Sequence, residues 1–297
     1  VLFEGLAAAQ VMRALLAANL SGAPAPDSDN PQMSRTFAPE SALASRLGKR
    51  VMPEGWRVVD DPGRERLGDR DLVGAYRVDD QGIPAQKVVL IDDGILKTLL
   101  MSRAPRKEIA NSNGHGRASL LGKARATPGN LFITPAKALG AKQLQARLLE
   151  QARRSGEARP LVVTLLDDPG ITGIDPLQAA FMMREMFGGS AQALPPPLVA
   201  YRLDADGERE LVRGARIKAL HVRALREIVA AGKGANLLHY AAVPYSGLSS
   251  FTSINESALG AVPVSLVSPS LLFEEIEVAK STGPFPRLPL LSPPAQR

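Results

Sequence analysis

The chain has 297 residues, 45% hydrophobic and 22% charged, enough for one large or two ordinary globular domains with a real core. Cysteine is absent, which excludes a disulfide framework and a thiolate metal site and fits a cytoplasmic protein. The formal charge is +6, but the basic residues are scattered and aromatic residues make up only 4%. Nucleic-acid readers instead concentrate charge on one face or interleave it with aromatics, and no apolar run nears the roughly 18 residues of a membrane span.

Val1 to Leu20 reads as a helix, because Leu2, Leu6, Ala9, Met12, Leu16 and Leu20 recur near the helical period. Val1 already stands inside this apolar pattern with no capping residue before it, which predicts a preceding segment outside the sequence. Ser21-Gly22 ends the helix, and Ala23 to Pro31 is a Pro/Asp/Ser-rich loop. A short helix is expected over Ser41 to Leu47, then a strand over Val51 to Asp61 that closes in the turn Asp60-Asp61-Pro62-Gly63.

Lys87 to Ile91 and Ile95 to Met101 are apolar runs joined by Asp92-Asp93-Gly94, the pattern of a β-hairpin with an Asp-Gly turn. Upstream, Asp79-Asp80 reads as turn chemistry, since adjacent side chains on a strand point to opposite faces and make a poor chelate. Downstream, Asn111 to Arg117 is a polar loop with two glycines. Two readings of that loop stand. Its polar groups bind substrate, with Arg117 holding a carboxylate; or Asn and Gly supply left-handed backbone while His115 satisfies a neighbouring carbonyl.

A strand is expected over Pro128 to Ile133, an amphipathic helix over Ala136 to Ser155 and a buried strand over Leu161 to Leu166. Asp175 to Phe187 holds Met182, Met183, Met186 and Phe187 at helical spacing, a core pattern. Leu198 to Arg202 and Glu210 to Arg213 form a second hairpin around Asp206-Gly207. Ile217 to Ala231 reads as a strand turning into a helix that ends at Gly232 and Gly234. His221 and His239 read as core or surface histidines, Val262 to Val278 as closing strands, and the proline-rich stretch 281–297 as an extended tail.

The run Val78 to Pro84, the hairpin ending Asp93-Gly94-Ile95-Leu96-Lys97 and the loop Asn113-Gly114-His115-Gly116-Arg117 together resemble the TldD/PmbA proteins, also called the modulator-of-DNA-gyrase family. These are bacterial and archaeal metallopeptidases and their partner subunits. The resemblance runs to both ends of the chain and is nearest to the PmbA-like members that lack the zinc motif. In catalytic members the first helix carries His-Glu-x-x-x-His, two zinc-binding imidazoles and a general base.

Aligned on the shared Glu, this chain reads Phe3-Glu4-Gly5-Leu6-Ala7-Ala8, with Phe3 and Ala8 at the histidine positions. The family's third ligand is a cysteine, and the corresponding stretch, about residues 249–264, offers Ser249, Ser250, Thr252, Ser253 and Asn255 but no thiol. Zinc needs nitrogen, sulfur or oxygen donors, so no metal ligands and no cofactor are expected here. Glu4 survives only as a vestigial candidate for a catalytic base, because a general base needs a polarised water to act on.

The resemblance therefore implies a non-catalytic subunit of a peptidase system that pairs with a TldD-like catalytic subunit, with itself as a dimer, or with both. It would bind an extended peptide, and neither nucleic acid nor membrane. The resemblance also places the Asn113, Gly114, His115 and Arg117 loop close to the substrate cleft. Two alternatives stand beside this reading: an independent hydrolase with a rearranged metal site from Glu4, His115 and Asp80, or a peptide-binding module without a peptidase partner.

The expected fold is α+β, with predominantly antiparallel sheets, either open or barrel-like, and packed helices. The expected division places the end of a preceding domain at residues 1–50, the TldD/PmbA-type C-terminal domain at 51–280 and the tail at 281–297.

Overall fold

The computed structural model describes residues 1–24, 40–118, 124–168, 194–242 and 261–280. Most of the expected loop at 23–31, the methionine-rich helix at 175–187, most of the stretch at 249–264 and the tail at 281–297 lie outside the described residues.

Among the described residues, twelve of the strands build two six-stranded sheets. In chain order they are β1 (Leu2–Phe3), β2 (Arg57–Asp60), β3 (Val88–Asp92), β4 (Ile95–Leu96), β5 (Asn130–Thr134), β6 (Leu161–Leu166), β7 (Pro197–Leu203), β8 (Arg209–Val212), β9 (Ile228–Ala231), β10 (Asn236–Ala242), β11 (Val262–Ser268) and β12 (Leu271–Phe273). The first sheet runs β8-β7-β6-β1-β12-β9 and the second β10-β11-β5-β2-β3-β4. Pairing is antiparallel except for β1 with β6 and β11 with β5. The fold is thus α+β and strand-rich, and among the described residues neither sheet closes into a barrel.

Helix α1 (Gly5–Leu15) lies between the sheets, against β6 of one and β10 and β11 of the other. That position explains its composition. A helix held between two sheets needs little polar face, and Ala7 through Met12 are buried without interruption, the alanines letting the sheets approach closely. Residues on both sides of position 50 share this core, where Phe3, Met12 and Leu16 pack with Leu90, Ile133 and Leu266.

The opening segment departs from the helix expected over Val1 to Leu20. Leu2 and Phe3 pair on one side with Val162 and Val163 and on the other with Leu272 and Leu271, so they become the central strand of the first sheet. Gly5, at φ +56°, turns the chain from strand into helix, and α1 is followed by a 3-10 turn at Ala17–Asn19. Two β-type residues between two strands satisfy more backbone groups than one further helical turn would.

Local signals hold elsewhere. Asp93 (φ +51°) and Gly94 (φ +72°) form the two-residue turn between β3 and β4. Helix α2 (Ala141–Ser155) ends at Gly156 in the left-handed conformation. It starts five residues later than its periodicity suggests, because Leu139 donates its N–H to Ala231 O (2.8 Å) and Gly140 donates to Gln143 Oε1 (3.0 Å). Between Ile217 and Ala231 the expected helix is a 3-10 turn, Val222–Glu227, and Ile228–Ala231 pairs instead with β12.

Candidate functional site

Glu4 stands where β1 hands over to α1. Its N–H donates to Val163 O (2.9 Å), which locks the start of the helix to β6. Its carboxylate faces β8, the outer strand of the first sheet, and is gripped by both arms of Arg209: Nη1 to Oε2 at 2.9 Å and Nη2 to Oε1 at 3.2 Å. A guanidinium fork over a carboxylate is the geometry of strong charge-assisted pairing, and it occupies both carboxylate oxygens.

The flanking positions are apolar core. Phe3 is fully buried, edge-on to Phe273 with ring centroids 5.6 Å apart, and Ala8 is fully buried in the same core. Neither supplies a donor atom, and no cysteine exists in the chain, so these residues do not fit the zinc site of the catalytic family members.

Along α1 the polar groups serve the core. Gln10, almost fully buried, donates Nε2–H to Leu166 O (3.0 Å) and accepts Leu166 N–H on Oε1 (2.9 Å). Arg13 pairs with Asp168 at 2.6 Å and lies 4.7 Å over the Tyr240 ring. Burial pushes the Tyr240 hydroxyl well above the ordinary tyrosine range, and Arg13 opposes that shift.

The second constellation gathers around His115, which has no exposed surface. Its Nδ1 faces Asn113 O (2.9 Å) and Asn113 Oδ1 (3.0 Å), and its Nε2 faces Asp60 Oδ1 (3.0 Å). Both ring nitrogens therefore face oxygen atoms of the protein. Asp60 also receives Gly129 N–H on both carboxylate oxygens. The Asn113 amide is fixed in turn, accepting Met101 N–H (2.7 Å) and donating to Leu99 O (2.9 Å).

Over this knot sits Tyr76, whose hydroxyl donates to Gly114 O (2.9 Å) and whose ring lies edge-on to His115. Burial, then the nearby Asp60 charge, pushes its hydroxyl well above the ordinary range. Arg117 covers the outer ring face at 4.1 Å and donates Nε–H to Asp80 Oδ2 (3.2 Å). Its Nη1 is buried and has no hydrogen-bond partner among the described residues. Asp79 accepts the N–H groups of Gln81 (2.9 Å), Ile83 (2.8 Å) and Gly116 (2.9 Å), so it is turn chemistry as its sequence context implies.

The structure thus keeps Asn113, Gly114, His115 and Arg117 together, but in this geometry their polar atoms are bonded mainly into the protein itself, and the His115 ring has no face toward solvent. Glu4, His115 and Asp80 belong to three separate pairings, with Arg209, Asp60 and Arg117 respectively. Among the described residues no three His, Asp or Glu side chains converge. His239 meets Ser265 Oγ at 3.1 Å, and His221 stands at the start of the 3-10 turn.

Sequence reasoning missed Asp60 and Arg209. Asp60 was legible in principle, since it shares the inward parity of Val58 on β2. Arg209 carries no local signal, being 205 residues from Glu4.

The sequence model of the PmbA/TldA metallopeptidase C-terminal domain matches residues 1–155. A protein named Metalloprotease MJ0996 from Methanocaldococcus jannaschii is 38% identical over 97 residues, 32% of this chain and 20% of that protein. A metalloprotease of Archaeoglobus fulgidus is 32% identical over 78 residues, 26% of this chain and 17% of that one. Among solved structures, a Thermotoga maritima protein named for modulation of a DNA gyrase aligns over 94% of this chain and 49% of its own, with TM-score 0.57 and 19% identity. TldE from Thermococcus kodakarensis gives the same coverages and TM-score at 18% identity. The chain therefore spans about half the length of these solved proteins, and they share its fold. No helix among the described residues is long and apolar enough to cross a membrane. With the family domain matched over more than half of its length, this chain belongs to the TldD/PmbA family of metallopeptidase-related proteins.

Proposed function

We propose that this chain is a non-catalytic, peptide-binding member of a TldD/PmbA-type peptidase system, acting beside a catalytic subunit that carries His-Glu-x-x-x-His. The observation that carries this reading is the state of its own motif. Phe3 and Ala8 are buried in the core, and both oxygens of Glu4 are held by Arg209, leaving no base free to act on a water. Removing the carboxylate's partner would not supply the missing donors. An independent hydrolase built on Glu4, His115 and Asp80 is not favoured, because those side chains sit in separate pairings.

Peptide binding without catalysis suits strands that stand at sheet margins among the described residues. β8 and β10 end their sheets, and an extended peptide can add to such an edge through main-chain hydrogen bonds that tolerate many sequences. The test is cleavage of an unstructured peptide by the purified full-length protein, alone and mixed with a His-Glu-x-x-x-His homologue. The expected result is no turnover alone, turnover in the mixture above that of the homologue by itself, and no change with Glu4→Gln. Turnover by the protein alone that disappears in Glu4→Gln would overturn the proposal.

A further inference from the structure

We propose that the outer face of the second sheet carries a carboxylate-binding pocket, built to take an acidic side chain or the terminal carboxylate of an extended peptide. This rests on the peptide-binding reading above and names the chemistry that such a peptide would bring. The pocket is lined by Arg57 and Val59 from β2, Asp61 and Arg64 from the turn after it, Lys87 ahead of β3, and Phe132 from β5. Its volume is about 260 Å³. That falls just below the roughly 300–1,000 Å³ of pockets for drug-sized ligands, a size for one side chain rather than a whole molecule.

The pleat explains the floor. Val58 and Asp60 point into the core, so Arg57 and Val59 point out, and Val59 stands directly opposite Phe132 on β5. Val59 and the Phe132 ring, which is partly covered by Arg64, form an apolar floor.

The charges are arranged around it. Arg64 lies over Phe132, with its guanidinium carbon 4.6 Å from the ring centroid, and its Nε donates to Arg66 O (3.0 Å). Those two contacts fix the plane of the fork while leaving its terminal nitrogens for a ligand. Arg64 makes no ion pair among the described residues. The one carboxylate in the lining, Asp61, pairs with Lys87 at 3.4 Å, and Arg57 leans 3.8 Å toward Asp92. Both of these cationic side chains are more than half exposed, so their pairings are loose and can be exchanged for a ligand carboxylate. Three cations against Asp61 in the lining and Asp92 beside Arg57 leave a surplus of one positive charge, with Arg64 the unpaired cation among the described residues, above an apolar floor that suits a planar carboxylate on a short aliphatic stem.

The experiment measures binding of dye-labelled Gly/Ser peptides to the full chain by fluorescence anisotropy. One peptide is amidated with a single central Glu, one has a free terminal carboxylate and no acidic residue, and one is amidated and neutral. We expect at least one carboxylate peptide to bind tenfold or more tightly than the neutral one, with the tighter of the two naming the source. Arg64→Gln and Lys87→Gln should each reduce that preference severalfold, and Lys87 is exposed enough that its replacement leaves folding intact. The pocket is overturned if the variants keep the full preference, if no peptide binds, or if the neutral peptide binds as well as the others. In the last case general peptide binding survives and only the carboxylate site falls, while the mixing assay decides the partner-subunit reading separately.

Discussion

Replacing Gln10 by Leu tests how the central helix is tied to the first sheet. Strands β6 and β7 fall out of regular register between Val163 and Leu166, and the residue opposite Leu166 is Pro197, which has no N–H to give. The Gln10 amide completes this break, accepting Leu166 N–H at 2.9 Å and donating to Leu166 O at 3.0 Å. Asp168 N–H also reaches Leu166 O at 2.9 Å, so the carbonyl keeps a partner without Gln10, whereas the N–H loses its acceptor. Orphaning that buried N–H costs about 1–3 kcal/mol, and losing the second, shared bond about 0.5–1.5 kcal/mol. The added apolar surface of leucine offsets about 1 kcal/mol. The net loss is about 2 kcal/mol, readable by urea unfolding as a midpoint lowered by about 0.7 M if the slope is about 3 kcal/mol/M and is unchanged by the mutation. An unchanged or raised midpoint for Gln10→Leu would refute the account, since it would mean that the Leu166 N–H finds another acceptor.

Burial raises the hydroxyl pKa of both Tyr76 and Tyr240 above the ordinary value near 10. A raised folded-state value means stability that is fully present below about pH 10 and is lost as pH climbs toward the folded value. Two of the four tyrosines should therefore ionise only together with loss of near-UV circular dichroism, and Tyr76→Phe and Tyr240→Phe should each remove one late-titrating group. Ionisation of all four near the ordinary value in folded protein would count against the burial described. Gly114→Ala should cost at least about 2 kcal/mol by thermal or urea unfolding, because φ there is +73° and a Cβ would stand 2.2 Å from Pro84 O and 2.8 Å from Ala85 Cα, backbone atoms that cannot swing aside. Gly82→Ala is the control, with φ +80° but open space around the new methyl, and should cost only about 1 kcal/mol; equal losses at the two sites would refute the clash.

The site's geometry also bears on what the family name means for this chain. The motif position is filled by packing on both sides of Glu4, and the Asn113 to Arg117 loop forms an internal brace between β2, the Asp79 turn and Tyr76.

The features legible without the fold are those written in consecutive residues. Asp93-Gly94 dictates a tight hairpin because both positions need positive φ, Gly156 stops α2 for the same reason, and the continuous apolar run Leu161–Leu166 reads as a buried strand. That Phe3 and Ala8 carry no donor atom follows from residue type, and that they stand at the histidine positions follows from the family resemblance. Tertiary structure decided the rest. Leu2 and Phe3 look like the start of an apolar helix until β6 and β12 flank them, and Ile228–Ala231 looks helical until β12 pairs with it. The loop around His115 leaves two readings open in its sequence, and only the fold shows that Asp60 and Asn113 face its ring inside the protein. Local sequence records turn chemistry and periodicity, which depend on neighbours in the chain. Burial, cross-strand pairing and ion pairs such as Glu4 with Arg209 depend on neighbours in space, which no local pattern encodes.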